Sequence, residues 1–291
     1  MRRIVLFVLT NLAVIALLSI IVKLFGIDTY TYRNGGINYQ GLLIMSAIVG
    51  FSGSLISLAI SKWVAKWQTR AHVITSPANP TEAWLVETVR RQAEKSGIRM
   101  PEVAIYDAPE MNAFATGPTR NNALVAVSTG LLQQMNKDEV EAVLAHEVSH
   151  VANGDMVTMT LIQGVVNTFV IFLARIIGTV IDRAISGNRE SGNGIAYFAI
   201  VLVLQFVLGI FASMIVMAFS RWREFRADAG SARIAGKDKM IAALARLDSN
   251  RGENSLPQAI QAFGIAGGGV RKLFSSHPPI EERIAALRGA R

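Results

Sequence analysis

Residues 144–155 read LAHEVSHVANGD, and the chain continues through residues 156–177 as MVTMTLIQGVVNTFVIFLARII. The first stretch places His146 and His150 four positions apart, so that both imidazoles lie on one face of a helix, one turn from each other. Two imidazoles in this arrangement can bind the same metal ion. The second stretch has the composition of a segment that lies in a lipid bilayer. The sequence therefore predicts a metal site directly beside a membrane segment.

The composition is that of an integral membrane protein. Of the 291 residues, 51% are hydrophobic and 17% are charged, and the mean hydropathy is +0.37. The absence of cysteine from the sequence excludes disulfides, thiolate metal sites and a cysteine nucleophile, so a metal ion must be bound by His, Asp or Glu. The net charge of +8 is typical of basic residues on the cytoplasmic flanks of membrane helices. Because no recognised nucleic-acid-binding motif accompanies this charge, nucleic acid is not an expected partner.

Four apolar stretches predict four transmembrane helices: residues 4–22, 41–61, 156–181 and 195–219. Helices of about 20 residues cross a hydrocarbon core of about 30 Å. The first stretch could instead be a signal peptide, but it lacks a convincing cleavage site. The third stretch is polar for a membrane span, and taken alone it could be a buried helix.

The distribution of basic residues predicts the orientation of the first hairpin. Basic residues lie before the first stretch and after the second: Arg2, Arg3, Lys62, Lys66 and Arg70. By the positive-inside rule, both ends of this hairpin are cytoplasmic, and so is the chain that follows it.

Between the second and third stretches the composition is that of a soluble domain. Short strands are predicted at residues 103–106 and 123–127, and an earlier helix is predicted with Thr81 as its cap. Asn136 and Glu139 form a capping-box pattern that opens the helix carrying the two histidines.

Glu147 follows the first histidine of the motif. In a His-Glu-x-x-His helix this carboxylate faces the metal-activated water and acts as a general base without binding the metal. The alternative interpretation is two surface histidines with an incidental glutamate.

A catalytic zinc site needs a third protein ligand and one open position for water. The elongated motif with a third histidine is excluded because position 156 is Met156. Glu224 is favoured, since Asp228 shares its helix face and can accept a hydrogen bond from a ligand imidazole. His277 and His72 are alternatives. The pair of acidic residues could also be a solvated charge cluster that pairs with neighbouring arginines.

The position of Glu224 constrains the topology. If it shares one ion with His146 and His150, the chain between them crosses the membrane an even number of times. Residues 195–219 are a clear span, so residues 156–181 are predicted to cross as well, with their polar side chains facing other helices or a polar cavity.

Five motifs together carry a family resemblance: NAFATG at 112–117, VSTGLLQ at 127–133, HEVSH at 146–150, EFRAD at 224–228 and HPPIEERI at 277–284. With these motifs and a hydrophobic insertion in the middle, the chain resembles, over essentially its whole length, the HtpX family of bacterial inner-membrane zinc endopeptidases, which is related to the CAAX prenyl proteases.

The resemblance implies one Zn²⁺ per chain, bound by His146, His150 and Glu224, with Glu147 as the catalytic base. It implies polypeptide substrates, chiefly damaged or misfolded membrane proteins, in stress-related quality control. The expected location is the bacterial inner membrane, with the lipid bilayer as a partner and the N-terminus and protease domain in the cytoplasm. A CAAX-type protease with a narrow substrate range and a non-catalytic membrane scaffold are the alternatives.

The resemblance also suggests roles for two further segments. Asn112, Ala113, Phe114 and Ala115 could form an edge strand that pairs with an extended substrate, or an ordinary strand end with its phenyl ring in the core. His277 could donate a hydrogen bond to the oxyanion of the transition state or cap the last helix.

The expected fold is mainly α: four transmembrane helices and a cytoplasmic α+β zincin-type metalloprotease domain with a small sheet. Its parts are an N-terminal transmembrane hairpin (1–70), the first part of the protease domain (71–155), a second transmembrane hairpin (156–219) and the second part of the protease domain (220–291).

Overall fold

The computed structural model describes residues 32–33, 36–186, 194–249 and 277–289. The first predicted span, residues 4–22, lies outside these ranges. The chain divides into two compact units, each built from two separate parts of the sequence. The helical unit comprises Met1–Ile56 and Thr160–Ser213, and the α/β unit comprises Ser57–Met159 and Met214–Arg291.

The described part of the chain forms helices and short strands. The helices are α1 (Tyr39–Thr69), α2 (Pro80–Lys95), α3 (Thr129–Gln134), α4 (Lys137–Asn153), α5 (Asp155–Ser186), α6 (Ile195–Ile234), α7 (Lys237–Ser249) and α8 (Ile280–Gly289). The strands are β1 (Tyr32–Arg33), β2 (Gly36–Ile37), β3 (His72–Val73), β4 (Glu102–Tyr106), β5 (Ala113–Thr119) and β6 (Asn122–Ser128). Both strands predicted from the sequence, now β4 and β6, are slightly longer than expected.

Three of these helices are long and apolar enough to cross a membrane. They are α1, the Asp155–Ile185 part of α5, and α6. The polar third stretch is therefore one continuous helix of sufficient length, as the topology argument requires. In the helical unit, Ala174 of α5 is buried together with Tyr197 and Val201 of α6.

The α/β unit contains a four-stranded mixed sheet in the order β3-β4-β6-β5. Strands β4 and β6 are parallel, with Val103 opposite Val125, whereas β5 and β6 are antiparallel, with Ala113 opposite Val127. The strand β5 therefore lies at one edge of the sheet. Strands β1 and β2 form a separate two-stranded antiparallel pair.

The core of the α/β unit lies between the sheet and its helices. Leu85 of α2, Val125 of β6, Leu144 of α4 and Leu244 of α7 are completely buried and belong to one cluster. Burial of each such side chain contributes about 1.5–3 kcal/mol to stability. Because α4 is enclosed by this core, the side chains that it presents are held in fixed positions.

Local capping signals set the ends of α4. The side chain of Asn136 accepts a hydrogen bond from the Glu139 amide, and the Glu139 carboxylate accepts one from the Asn136 amide, as the sequence predicts. Gly154 ends the helix in the left-handed conformation, with φ = +70°. The expected cap of α2 is wrong: Asn79 is the cap, and Pro80 takes the first helical position rather than Thr81 initiating the helix.

Candidate active site

Helix α4 brings two imidazoles together. The Nε2 atoms of His146 and His150 are 3.1 Å apart, and both side chains are buried. The rings are nearly perpendicular, at 89°. This geometry follows from the four-residue spacing, which places the side chains on one face of the helix.

Glu224 of α6 completes a group of three buried metal-binding side chains. Its Oε2 lies 3.5 Å from His146 Nε2, its Oε1 lies 3.3 Å from His150 Nε2, and only 1% of its side chain is exposed. One donor atom from each residue falls within 4.8 Å of the others. The favoured third ligand is thus brought to the two histidines. His72, the alternative, lies at an exposed position of β3.

The donor group fits a zinc ion. Tetrahedral coordination with zinc–ligand distances of about 2.0–2.2 Å requires donor atoms about 3.3–3.6 Å apart. The two Nε2 atoms are 3.1 Å apart, and each lies 3.3–3.5 Å from one oxygen of the Glu224 carboxylate. Glu224 Oε1 is buried without a hydrogen-bond partner, which leaves it able to bind a cation. Two imidazoles and one glutamate are also a ligand set that zinc peptidases use.

Two carboxylates hold the outer nitrogens of the imidazoles. Asp228 Oδ1 is 2.9 Å from His146 Nδ1, and Asp155 Oδ2 is 2.6 Å from His150 Nδ1. When Nδ1 carries the proton and donates to a carboxylate, the lone pair of Nε2 points towards a metal ion. The structure thus brings the Asp228 carboxylate next to the outer nitrogen of His146.

The electrostatics of the pocket favour positive charge. Burial lowers the pKa of His146, but its contacts with Asp228 and Glu224 outweigh burial and raise the pKa to about 9. Burial also lowers the pKa of His150, but its hydrogen bond to the Asp155 carboxylate and the nearby Glu224 carboxylate raise the pKa above its ordinary value. A pocket that stabilises a cation on either ring is suited to a metal cation in the same place.

Sequence reasoning missed two residues beside the donor group. Asp155 follows the glycine that ends α4, and no local pattern showed that its side chain folds back onto His150. Arg283 of α8 makes a two-pronged contact with Asp228, with Nε–Oδ2 at 2.7 Å and Nη2–Oδ1 at 2.5 Å. The only sequence signal for Arg283 is its place in the HPPIEERI motif.

Glu147 differs from its neighbours on α4 in its access to solvent. Every other residue of the segment 142–151 is buried, whereas Glu147 is partly exposed. Its negative charge is close enough to His150 to help raise the pKa of that imidazole. A side chain with this exposure can reach a water molecule that arrives from the solvent.

A family match decides which kind of protein carries this arrangement. The model of Peptidase family M48 matches residues 79–291, which include the donor group and its supporting carboxylates. The chain belongs to Peptidase family M48. It is a membrane-bound metalloprotease.

Similar proteins support the membership. The chain is 62% identical over 292 residues to "Protease HtpX" of Xanthomonas oryzae pv. oryzae (strain MAFF 311018) and to that of Xanthomonas axonopodis pv. citri (strain 306). Each alignment covers 99% of this chain and 98% of the relative. The crystal structure of S. mikatae Ste24p has a similar fold, with a TM-score of 0.67 at 18% identity. The similarity covers 95% of this chain and 62% of that neighbour.

His277 lies against the donor group of this M48 site. Its Nδ1 is 2.8 Å from Glu224 Oε2, and its side chain is 50% exposed. It is not one of the three clustered donors. The side chain thus faces the carboxylate at the open side of the site.

The segment predicted to bind the substrate, residues 112–115, begins one residue before β5 and continues into it. Ser128 N–H donates to the Asn112 carbonyl and Asn112 N–H donates to Ser128 Oγ, so these two residues are hydrogen-bonded to each other where the antiparallel ladder begins. Because such pairs alternate along the ladder, the peptide groups of Ala113 and Ala115 point away from β6, towards the open edge. Strand β5 also packs against α4.

Phe114 contributes to the core beneath this edge. Its ring lies 5.5 Å from the ring of Tyr106, at an angle of 45°. The side chain thus packs inward, as one of the two alternatives predicts, while the strand itself remains at the edge of the sheet. The two alternatives are compatible, because they concern the side chain and the backbone respectively.

Proposed function

We propose that this M48 metalloprotease is a zinc endopeptidase in which His146, His150 and Glu224 bind one Zn²⁺ and Glu147 is the general base. The observation that carries the proposal is the convergence of three buried donors beside one carboxylate that keeps access to solvent. This combination supplies a metal site that is shielded from solvent and a proton acceptor that solvent can reach, both of which metal-assisted hydrolysis uses.

Zinc, when bound, supplies Lewis-acid activation of the scissile carbonyl and of a water molecule. Glu147 accepts a proton from that water and passes it to the leaving amine. Asp228 and Asp155 keep each imidazole in the orientation that directs Nε2 towards the ion. Arg283 fixes Asp228 through two charge-assisted hydrogen bonds. The orientation of His146 therefore also depends on helix α8, which carries Arg283.

The edge strand β5 is the proposed binding site for the substrate backbone. Ala113 and Ala115 offer N–H and C=O groups to an extended peptide that runs beside them. Such pairing depends little on the substrate sequence, which suits a protease that acts on many damaged proteins. Asn112 and Phe114 flank these contacts, and His277 is the proposed donor to the oxyanion of the transition state.

The protein is proposed to span the inner membrane of a bacterium four times, with the N-terminus and the α/β unit in the cytoplasm. Three helices of spanning length and the basic residues that follow the second apolar stretch support this arrangement. Its proposed substrates are damaged or misfolded membrane proteins, which share the bilayer with the protease. The high identity to the proteases named HtpX supports this assignment.

Cleavage of a model membrane protein by the wild type and by Glu147→Gln tests the mechanism. We expect the variant to lose nearly all cleavage while it retains bound zinc, because the carboxamide cannot accept the proton and no ligand is altered. Cleavage by the wild type should also stop with a chelator and return with zinc. Cleavage products are mapped by mass spectrometry, and zinc is measured by elemental analysis. A metal-loaded Glu147→Gln variant that cleaves at the wild-type rate would exclude this residue as the base.

A further inference from the structure

Exposed aromatic side chains lie near both ends of α1. Tyr39 is 58% exposed, Trp63 is 65% exposed and Trp67 is 56% exposed. The two indoles stack with their centroids 6.0 Å apart, although each presents a large apolar surface outward. A helix that runs from Tyr39 to Trp63 is about 36 Å long, slightly more than a hydrocarbon core of about 30 Å. Tyr and Trp concentrate at the two membrane–water interfaces, which is the arrangement found along α1.

Helix α6 also carries an exposed aromatic residue where its exposed apolar face ends. No charged residue occurs in α6 before Arg221, and its exposed apolar face includes Phe211 and Ile215. This face ends at Trp222, which is 51% exposed. The guanidinium of Arg226, one turn further on, lies 4.9 Å from the centre of the Trp222 ring.

The pair of Trp222 and Arg226 fits the headgroup layer of a bilayer. An indole prefers the interface because it is apolar with one polar N–H, and an arginine beside it can reach lipid phosphates. Helix α6 rises about 6 Å between these two residues. This turn of α6 therefore has the side chains expected at the boundary of a membrane.

Glu224 lies in the same turn, on the buried side of α6. It is two residues from each member of the pair, which corresponds to about 3 Å along the helix axis. Since Glu224 contacts His146 and His150, the donor group shares its depth.

We propose that the candidate metal centre lies at the depth of the lipid headgroups and that its substrates are polypeptide segments that leave the bilayer in extended form. The second half of this inference rests on the proposed peptidase function. A headgroup layer is about 5–8 Å thick on each side, and an extended chain advances about 3.3 Å per residue. The peptide bonds that the metal centre can reach are thus the first few after a substrate leaves the hydrocarbon core. A substrate that continues as a stable helix offers no free backbone to β5, so unwound juxtamembrane segments are the preferred class.

The four tryptophans of the chain allow a direct measurement of depth. Variants that keep only Trp222, only the Trp63 and Trp67 pair, or only Trp84 are made by Trp→Phe substitution in the full-length protein. Trp84 is the control, because it belongs to α2 and packs against the core of the α/β unit beneath Lys137. Each variant is placed in vesicles of phospholipids brominated either near the headgroup or near the chain end.

Trp222 and the Trp63 and Trp67 pair should lose fluorescence, most strongly with bromine near the headgroup, while Trp84 should lose none. If Trp222 is as insensitive as Trp84, the metal centre lies outside the membrane interface and the proposal is wrong. Strongest quenching of Trp222 by bromine at the chain end would place the centre inside the hydrocarbon core and would also overturn it.

Cleavage is tested with single-span substrates that carry one unstructured target segment behind a rigid helical spacer. Spacers of about 0, 10 and 20 residues move the target about 0, 15 and 30 Å from the bilayer. We expect cleavage without the spacer and loss of cleavage with the longest one, while the Glu147→Gln variant cleaves none. Equal cleavage of all three would refute the juxtamembrane preference and leave the peptidase function intact. Failure of the wild type to cut any substrate would instead overturn the proposed function, and with it the substrate class, whereas the fluorescence result would still decide the depth.

Discussion

At the scale of single residues, the orientation of His150 depends on one carboxylate. Asp155 lies 2.6 Å from His150 Nδ1, and its side chain is buried. Replacement by asparagine keeps the shape but removes the charge that orients and polarises the imidazole. We expect Asp155→Asn to weaken zinc binding by about 10–100-fold, the usual effect of losing such a partner. Competition with a chelator of known affinity measures this change.

The matched control for this prediction is Asp248→Asn, the same substitution at an exposed position of α7. It should bind zinc like the wild type. If Asp155→Asn also binds like the wild type and is folded, Asp155 has no role in orienting a metal ligand.

The predictability of the site differs from residue to residue. His146, Glu147 and His150 could be predicted because their chemistry depends on spacing within one helix. Glu224 could be predicted from its own motif, because Asp228 shares its helix face, although the long apolar segment of α5 and α6 separates it from the histidines. Arg283 could not be predicted as a partner of Asp228, because nothing local to either residue shows that α8 packs beside α6 at that position.

At the scale of helices, the distance between the ligands depends on how closely α4 and α6 approach. Ser231 Oγ of α6 donates to the Ala142 carbonyl of α4 at 2.7 Å. A methyl group added at Gly230 would lie 2.7 Å from Ser149 Cβ, well inside normal contact distance. Gly230→Ala should therefore push the helices apart, lower the stability by about 1–3 kcal/mol and weaken zinc binding, because Glu224 moves with α6. Thermal unfolding and chelator competition measure the two effects.

Gly209→Ala is the control on the same helix. A methyl group there would meet no described atom within 4 Å, and alanine is the better helix former. We expect no loss of stability or zinc binding. Equal behaviour of the two alanine variants would mean that close contact at Gly230 does not set the position of Glu224.

Helix boundaries could be predicted where the signal is local, as at Asn136 and Gly154. Asn79 and Pro80 carry the same kind of signal, since proline favours the first helical position, and this signal outweighs the capping ability of Thr81. No local sequence signal predicts the contact at Gly230. The reason for a glycine inside a helix is visible only in the folded structure, where another helix occupies the space that a side chain would need.

At the scale of the whole chain, residues predicted for one purpose also serve another. The sequence predicts Lys62 and Lys66 to be cytoplasmic charges that set the membrane orientation. In the structure, Lys62 Nζ lies 2.7 Å from Glu102 Oε1 and Lys66 Nζ lies 3.2 Å from Glu102 Oε2. They therefore tie the end of α1 to the start of β4, a contact between positions far apart in the sequence that charge distribution alone could not predict.

The arrangement of the chain makes the metal site dependent on topology. The histidines precede α5 and Glu224 lies near the end of α6, so the two parts meet only if the intervening helices return the chain to the same side of the membrane. The absence of cysteine from the sequence permits a test by single-cysteine labelling without background. Suitable positions are Glu94 of α2, Gly194 just before α6 and Asp248 of α7, all of which are exposed.

We expect Gly194→Cys to react with a membrane-impermeant maleimide in intact spheroplasts, and Glu94→Cys and Asp248→Cys to react only after lysis. Labelling is detected by the mass added to the purified protein. If Glu94→Cys and Asp248→Cys react in intact spheroplasts and Gly194→Cys reacts only after lysis, the proposed metal site remains possible but the protein faces the opposite side of the membrane. If Glu94→Cys and Asp248→Cys differ from each other, the helices α5 and α6 do not return the chain to its starting side. Glu224 then cannot share an ion with His146 and His150, and the third ligand must be sought elsewhere.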